Sequence, residues 1–89
     1  MRTKTDILKR YPVTLGAHER RRMCGRALAK VGRGYSYTTA VSKIAARHKL
    51  TSGDMLALAQ DVFAAARRRG QLTRKQAREQ LRAMIGLTR

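Results

Sequence analysis

The amino-acid sequence predicts an all-α fold, a compact bundle of about four short helices. Apolar residues recur at three- and four-residue intervals in four separate stretches, which is the period of a helix buried on one side. No stretch alternates apolar and polar residues with the period of two that a half-buried strand requires. The breaks between the stretches are short and carry glycine or hydroxyl residues suited to end or start a helix. Eighty-nine residues form one small domain, near the size at which a single core is adequate but not generous. The apolar fraction is 43%, much of it Ala, with one Phe and no Trp, so Leu, Ile, Val and Met must fill the interior.

Residues 1–16 read as a basic N-terminal arm of mixed polarity, with one helical turn expected around Asp6 to Arg10, and residues 17–89 as the helical domain. From Ala17 to Val31, the residues Met23, Ala27 and Val31, with Cys24 and Leu28 beside them, form an apolar stripe. Gly32, Arg33 and Gly34 stop that helix. Gly25 lies inside it at a cost of about 1 kcal/mol relative to Ala, which predicts close packing or a bend there. Tyr35 to Thr39 leads into the second helix, with a hydroxyl residue to cap it. That helix is expected from about Thr39 to Lys49, burying Val41, Ile44 and Ala45, with His48 on the same stripe.

Thr51 and Asp54 have the spacing of a capping box at the start of a third helix, expected from Ser52 to Arg69. Its inward residues are Met55, Leu58, Ala59, Val62, Phe63 and Ala66, and Gly70 closes it. Thr73 and Gln76 form another capping box. Ala77, Leu81, Met84 and Ile85 then mark a fourth helix ending near Gly86.

Charge is the strongest functional signal. The chain has 21 Lys and Arg against 5 Asp and Glu, a formal net charge of +16. Ten basic residues lie between Arg2 and Arg33 and eight between Arg67 and Arg89, while Thr51 to Ala66 contains none. A compact domain so charged repels itself, and a polyanion relieves that repulsion.

Across Val41 to Gln60, Ile44 and Ala45 on one helix, Leu50 in the turn, and Met55 and Leu58 on the next have the spacing that buries the angle of a helix-turn-helix-like corner. This segment resembles helix-turn-helix regulators. The resemblance implies that Thr51 and Ser52 open the second helix at a DNA groove, with Gly53, Leu56, Ala57 and Gln60 on its outward side. Asp54 and Asp61 on the same helix would meet phosphates unfavourably.

The string His18, Glu19, Arg20, Arg21, Arg22, followed by Arg26 and Lys30, is similar to the arginine-rich RNA-binding peptides of phage antiterminators of the N type. It implies bidentate guanidinium contacts in the groove of an RNA hairpin. Arg67, Arg68 and Arg69 end the third helix, where cations offset its dipole. Beyond them come Arg74, Lys75, Arg78 and Arg82. Arg74, Arg78 and Arg82 repeat every four residues as a rail, read as lying opposite Leu81 and Ile85 and suited to a phosphate backbone. Arg33, Lys43 and Arg47 complete the expected nucleic-acid contacts. Tyr35 and Tyr37 either stack on exposed bases or cover the core edge, the second reading being preferred.

Two separated histidines and five scattered carboxylates give no catalytic or metal-ligand pattern, so neither enzyme activity, metal nor cofactor is expected. The single cysteine, Cys24, excludes an intramolecular disulfide. Nearby arginines would activate its thiol; packing as a small apolar residue is the preferred reading. No run has membrane-spanning length, and a cytoplasmic protein is the default expectation. The expected function is therefore a small nucleic-acid-binding regulator, DNA first, through a helix-turn-helix-like core with arginines on flanking phosphates, and as a homodimer if it reads paired half-sites. RNA binding through the 18–30 helix is the second reading. An adaptor docking on an acidic protein surface is the third.

Overall fold

The computed structural model describes residues 12–87. Four helices form an all-α bundle: α1 (Ala17–Gly32), α2 (Tyr37–Arg47), α3 (Ser52–Arg68) and α4 (Arg74–Leu87). The turn expected around Asp6 lies outside the described residues.

The bundle is built around α3, which packs against each of the other three helices. Its buried residues include Leu56, Leu58, Ala59, Val62 and Phe63 and continue to Ala66. Met23 and Ala27 from α1, Ala40, Val41 and Ile44 from α2, and Ala77, Leu81 and Met84 from α4 close around them. The corner between α2 and α3 packs as its spacing predicts. Ile44, Ala45 and Leu58 are buried, and Leu50 and Met55 lie half-buried against the core.

Burial of α3 goes further than a one-sided stripe allows. Gly53, Leu56 and Ala57, expected on its outward side, are buried, with Leu56 fully so. A helix enclosed by three others has no broad exposed face, and beyond its first turn, where Ser52 is exposed and Met55 half-buried, α3 keeps only a narrow strip, Gln60, Asp61, Ala64, Arg67 and Arg68, in partial or full contact with solvent.

Three helix ends are built alike. At the end of α1, Tyr35 N–H donates to the Lys30 carbonyl (3.2 Å) and Gly34 N–H to that of Val31 (2.9 Å), with Gly34 at φ +104°. This is a Schellman ending, in which a left-handed residue lets the chain turn back on the last carbonyls. Gly70 does the same for α3, where Gln71 N–H reaches the Ala66 carbonyl (2.9 Å) and Gly70 N–H that of Arg67 (3.0 Å). At the end of α2, Leu50 N–H reaches the Ala45 carbonyl (2.9 Å) and Lys49 N–H that of Ala46 (3.2 Å), but the left-handed residue is Lys49 at φ +53°. A side chain there pays a steric cost that glycine avoids.

Helix starts vary more. Ser36 caps α2 by accepting from Thr39 N–H (3.2 Å), so that helix begins two residues before its expected start. The box at α4 is complete: Thr73 Oγ1 accepts from Gln76 N–H (3.1 Å) and Gln76 Oε1 from Thr73 N–H (2.9 Å). α4 runs past Gly86 to Leu87.

At α3 half of the expected box is present. Thr51 Oγ1 accepts from Asp54 N–H (3.2 Å), whereas the Asp54 carboxylate turns to the arm. It accepts from Thr14 N–H (2.7 Å), Thr14 Oγ1–H (2.7 Å) and Leu15 N–H (2.9 Å). Asp54 is 4% exposed. Burial opposes ionisation, but hydrogen bonds from the Thr14 hydroxyl, the Leu15 and Thr14 amides and the Thr51 side chain outweigh it and hold the carboxyl below its ordinary value. The last residues of the arm thus belong to the folded unit, and the carboxylate expected to oppose a phosphate is consumed inside it.

Two further expectations are corrected. His48 is exposed, because the chain leaves the helix there and turns at Lys49. Gly25 is exposed with open space where a Cβ would stand, so it serves no close packing.

Three stability predictions follow from these positions. Gly25→Ala should stabilise the domain by about 0.5–1 kcal/mol, because helix propensity is gained with nothing to clash. Lys49→Gly should stabilise by a similar amount, about 0.5–1 kcal/mol, by relieving the left-handed position; denaturant titration measures both. Because the Asp54 pKa is lower in the native than in the unfolded chain, its contribution is full above the ordinary carboxylate value of about 3.9 and is lost as pH falls through the native value. Asp54→Asn should cost about 1.5–3 kcal/mol at neutral pH and flatten the acid limb in melts taken downward through the carboxylate range.

Candidate nucleic-acid interface

The outward strip of α3 lies at the bottom of a shallow face flanked by α1 and α4. On the α1 side a groove of about 290 Å³ is lined by Ala17, Arg20, Arg21, Cys24, Asp61, Ala64 and Arg68. On the α4 side, Gln60, Phe63, Ala64 and Arg67 meet Ala77 and Leu81. Ala64 is common to both, and its small side chain leaves the strip open between the two flanks. Arg67 leans toward α4 and Arg68 toward α1, so the last turn of α3 delivers two guanidinium groups to the middle of the face. As expected, these cations also stand at the negative end of the α3 dipole.

The rail on α4 belongs to this face, but its register differs from the expected one. At about 100° per residue, Arg78 falls within about 20° of Ile85, so the rail runs along the flank beside Ile85 and not opposite it. The other flank of α4 carries Leu87, which lines an open groove with Thr38, Ser42 and Ala46 of α2. Arg74, Arg78 and Arg82 therefore occupy the side turned away from α2, next to the strip of α3. All three are exposed, as are Lys75 and Arg69.

The arginines of α1 do not share one direction. Arg20 is half-buried: its Nε donates to Asp61 Oδ2 at 2.8 Å and its Nη1 to the Leu15 carbonyl at 3.5 Å. Among the described residues it is the one basic side chain paired with a carboxylate. Arg21 lines the α1–α3 groove, and Arg22 is exposed, a further 100° around the helix. The pair with Asp61 is partly solvated and contributes at most about 1 kcal/mol. Its larger effect is to remove the strip's one carboxylate from the balance of charge.

The remaining cations of the first block gather elsewhere, on the side of α1 facing α2. Arg26, Lys30 and Arg33 line a groove of about 170 Å³ with Ala29, Ile44 and Arg47. Lys43 stands beside it, its Nζ 5.6 Å from the centroid of the Tyr35 ring, and Lys30 Nζ lies 5.4 Å from the same centroid. The basic surface is thus divided between an outer face on α1, α3 and α4 and a smaller patch between α1 and α2.

Thr51 and Ser52 are exposed at the start of α3, as expected. Gly53, Leu56 and Ala57, which should extend them into a reading surface, are buried, and of that set only Gln60 reaches solvent, so no row of side chains follows them along the helix.

The two loop tyrosines part company. Tyr37 is half-buried, edge-on to Phe63 at 6.2 Å, and its hydroxyl donates to Gln71 Oε1 at 3.2 Å. It covers the core edge. Tyr35 is 40% exposed.

Cys24 is half-buried, and its thiol pKa is raised, chiefly by burial and then by Asp61, against the opposing pull of Arg68 and Arg69. The idea that arginines activate it is thereby corrected, and the packing reading stands. Among the described residues no three His, Cys, Asp or Glu are grouped to hold a metal ion, and no helix is long and apolar enough to cross a membrane.

Sequence reasoning named the cations of the outer face but missed Asp61 as the partner of Arg20 and Ala64 as the floor. The first is a contact across 41 positions in the chain, and an isolated alanine carries no local signal. Compared with known proteins, the chain matches no family model, no curated protein and no solved structure.

Proposed function

We propose that this protein binds duplex nucleic acid, DNA first, by gripping phosphates on the outer face of α1, α3 and α4, in an architectural or regulatory and non-enzymatic role. The observation that carries this reading is the placement of Arg21, Arg67 and Arg68 around one strip whose single carboxylate is already spent on Arg20, with Arg74, Arg78 and Arg82 exposed along the adjoining helix α4. Unpaired guanidinium groups on three rigid helices are preorganised for phosphate oxygens, which they contact in bidentate geometry. The folded body measures 32 × 29 × 23 Å, close to the roughly 34 Å of one duplex turn.

This differs from base readout by a recognition helix. With Leu56 and Ala57 buried, α3 offers the groove only Thr51 and Ser52 at its tip, and the proposed grip carries little sequence information. The case for a homodimer on paired half-sites loses its basis with that helix. DNA is placed before RNA because insertion of α1 into an RNA groove needs Arg20, Arg21 and Arg22 on one free face, and α1 spreads them around its circumference. An acidic protein partner is the reading left if neither nucleic acid binds.

Titration of labelled duplex DNA and hairpin RNA over a range of salt tests the proposal. Six phosphate contacts give a slope of log K against log salt of about −5 on B-DNA. The triple substitution R67Q/R68Q/R78Q should reduce that slope by about 3 and weaken binding to a similar extent for every duplex sequence. A shallow slope that the triple variant leaves unchanged would sink the proposed interface.

A further inference from the structure

The patch between α1 and α2 combines two features that the outer face lacks. It holds an aromatic ring standing in solvent with two ammonium groups against it, and three guanidinium groups line the adjoining groove with no carboxylate among them. Tyr35 is the exposed aromatic side chain of the described residues. Lys30 and Lys43 stand against the ring, Lys30 also lines the adjoining groove with Arg26, Arg33 and Arg47, and none of these five has an ion pair or a hydrogen bond from its side chain among the described residues.

The position of the ring is set by the backbone. Tyr35 is the residue whose N–H closes the Schellman ending on the Lys30 carbonyl at 3.2 Å, and Gly34 makes the turn at φ +104°. In this motif the residue after the left-handed glycine is brought back over the residue whose carbonyl it bonds. Lys30 is therefore held beside the ring by the fold of the chain, while Lys43 reaches it from α2.

Magnitudes indicate what the arrangement suits. An exposed cation–π contact contributes about 0.5–1 kcal/mol, too little to hold two ammonium groups against each other and against three guanidinium groups. A nucleobase stacked on an aromatic ring contributes about 1–3 kcal/mol. A nucleotide meets both needs together, its base replacing a lysine on the ring and its phosphates neutralising the displaced ammonium and its neighbours.

We propose that this patch is a second subsite that takes one unpaired nucleotide of a nucleic acid, its base stacked on Tyr35 and its flanking phosphates held by Lys30, Lys43, Arg33 and Arg47. The inference rests on the nucleic-acid reading above and deepens it. A ligand with an unpaired stretch, or a junction between duplex and single strand, engages a surface that a blunt duplex does not need.

The test compares wild type, Tyr35→Leu and Tyr35→Phe on a fluorescent single-stranded oligonucleotide, a blunt duplex and a duplex with a single-stranded overhang, at matched salt. An oligonucleotide carrying 2-aminopurine reports stacking directly. Tyr35→Leu should weaken single-strand binding about tenfold or more and abolish the fluorescence change, with less than about a twofold effect on the blunt duplex, and Tyr35→Phe should retain both. Matching thermal melts establish that the exposed turn still folds. The pair K43Q/R47Q, outside that turn, should reduce the single-strand salt slope by about 1.4.

Equal loss on single strand and blunt duplex, or no loss on either, overturns the subsite while leaving the outer face standing. Single-strand binding that depends on Tyr35 without any binding of blunt duplex overturns the outer face and keeps the subsite. Absence of binding to every nucleic acid at low salt overturns both.

Discussion

A chain with 21 basic residues can form a core only by keeping one helix clear of them, and that constraint organises this molecule. The run from Thr51 to Ala66, which contains no Lys or Arg, is the helix the other three enclose. Charge inside such a helix is costly unless it is fully hydrogen-bonded. The buried carboxylate of Asp54 meets that requirement from Thr14 and Leu15 of the arm, while Asp61 stays partly solvated on the outward strip and pairs with Arg20 of α1. Arginine appears in α3 only in the final turn, where the helix emerges from its neighbours.

With the centre free of cations, the remaining charge is carried on the rim, and its distribution follows from helix packing. α1 buries Met23 and Ala27 and must turn its basic residues to both sides. Some join α3 and α4 on the outer face, and others join α2 around Tyr35. The self-repulsion that results is relieved by whatever anion binds the folded state, so ligand binding and folding reinforce each other. The proposed function is accordingly a grip on a charged backbone and not base reading, because the most enclosed helix is the one that a helix-turn-helix would have placed in the groove.

Much of the fold was legible in the sequence because each helix carries a local signal. The stripes Met23–Ala27 and Ala77–Leu81–Met84, the box Thr73–Gln76 and the glycine stops at Gly34 and Gly70 depend on neighbours a few residues away. What escaped were consequences of tertiary arrangement. Leu56 and Ala57 look outward on a one-sided helix and become buried only because α3 is covered on three sides. The absence of basic residues from that stretch was the available sign. Asp54 has the spacing of a cap, yet it bonds to residues 40 positions away, which no local pattern encodes. The site was legible as a list of cations but not as a surface, since helix phase, and not sequence order, separates Arg21 from Arg26.

The grip of Thr14 and Leu15 on Asp54 moves the true edge of this structural unit. A fragment cut at Ala17, where the first helix starts, would span all four helices yet strip from the Asp54 carboxylate the two backbone amides and the hydroxyl that hold it. The smallest piece that can be excised or fused to another protein without that penalty begins ahead of Thr14, among residues that look like a dispensable leader.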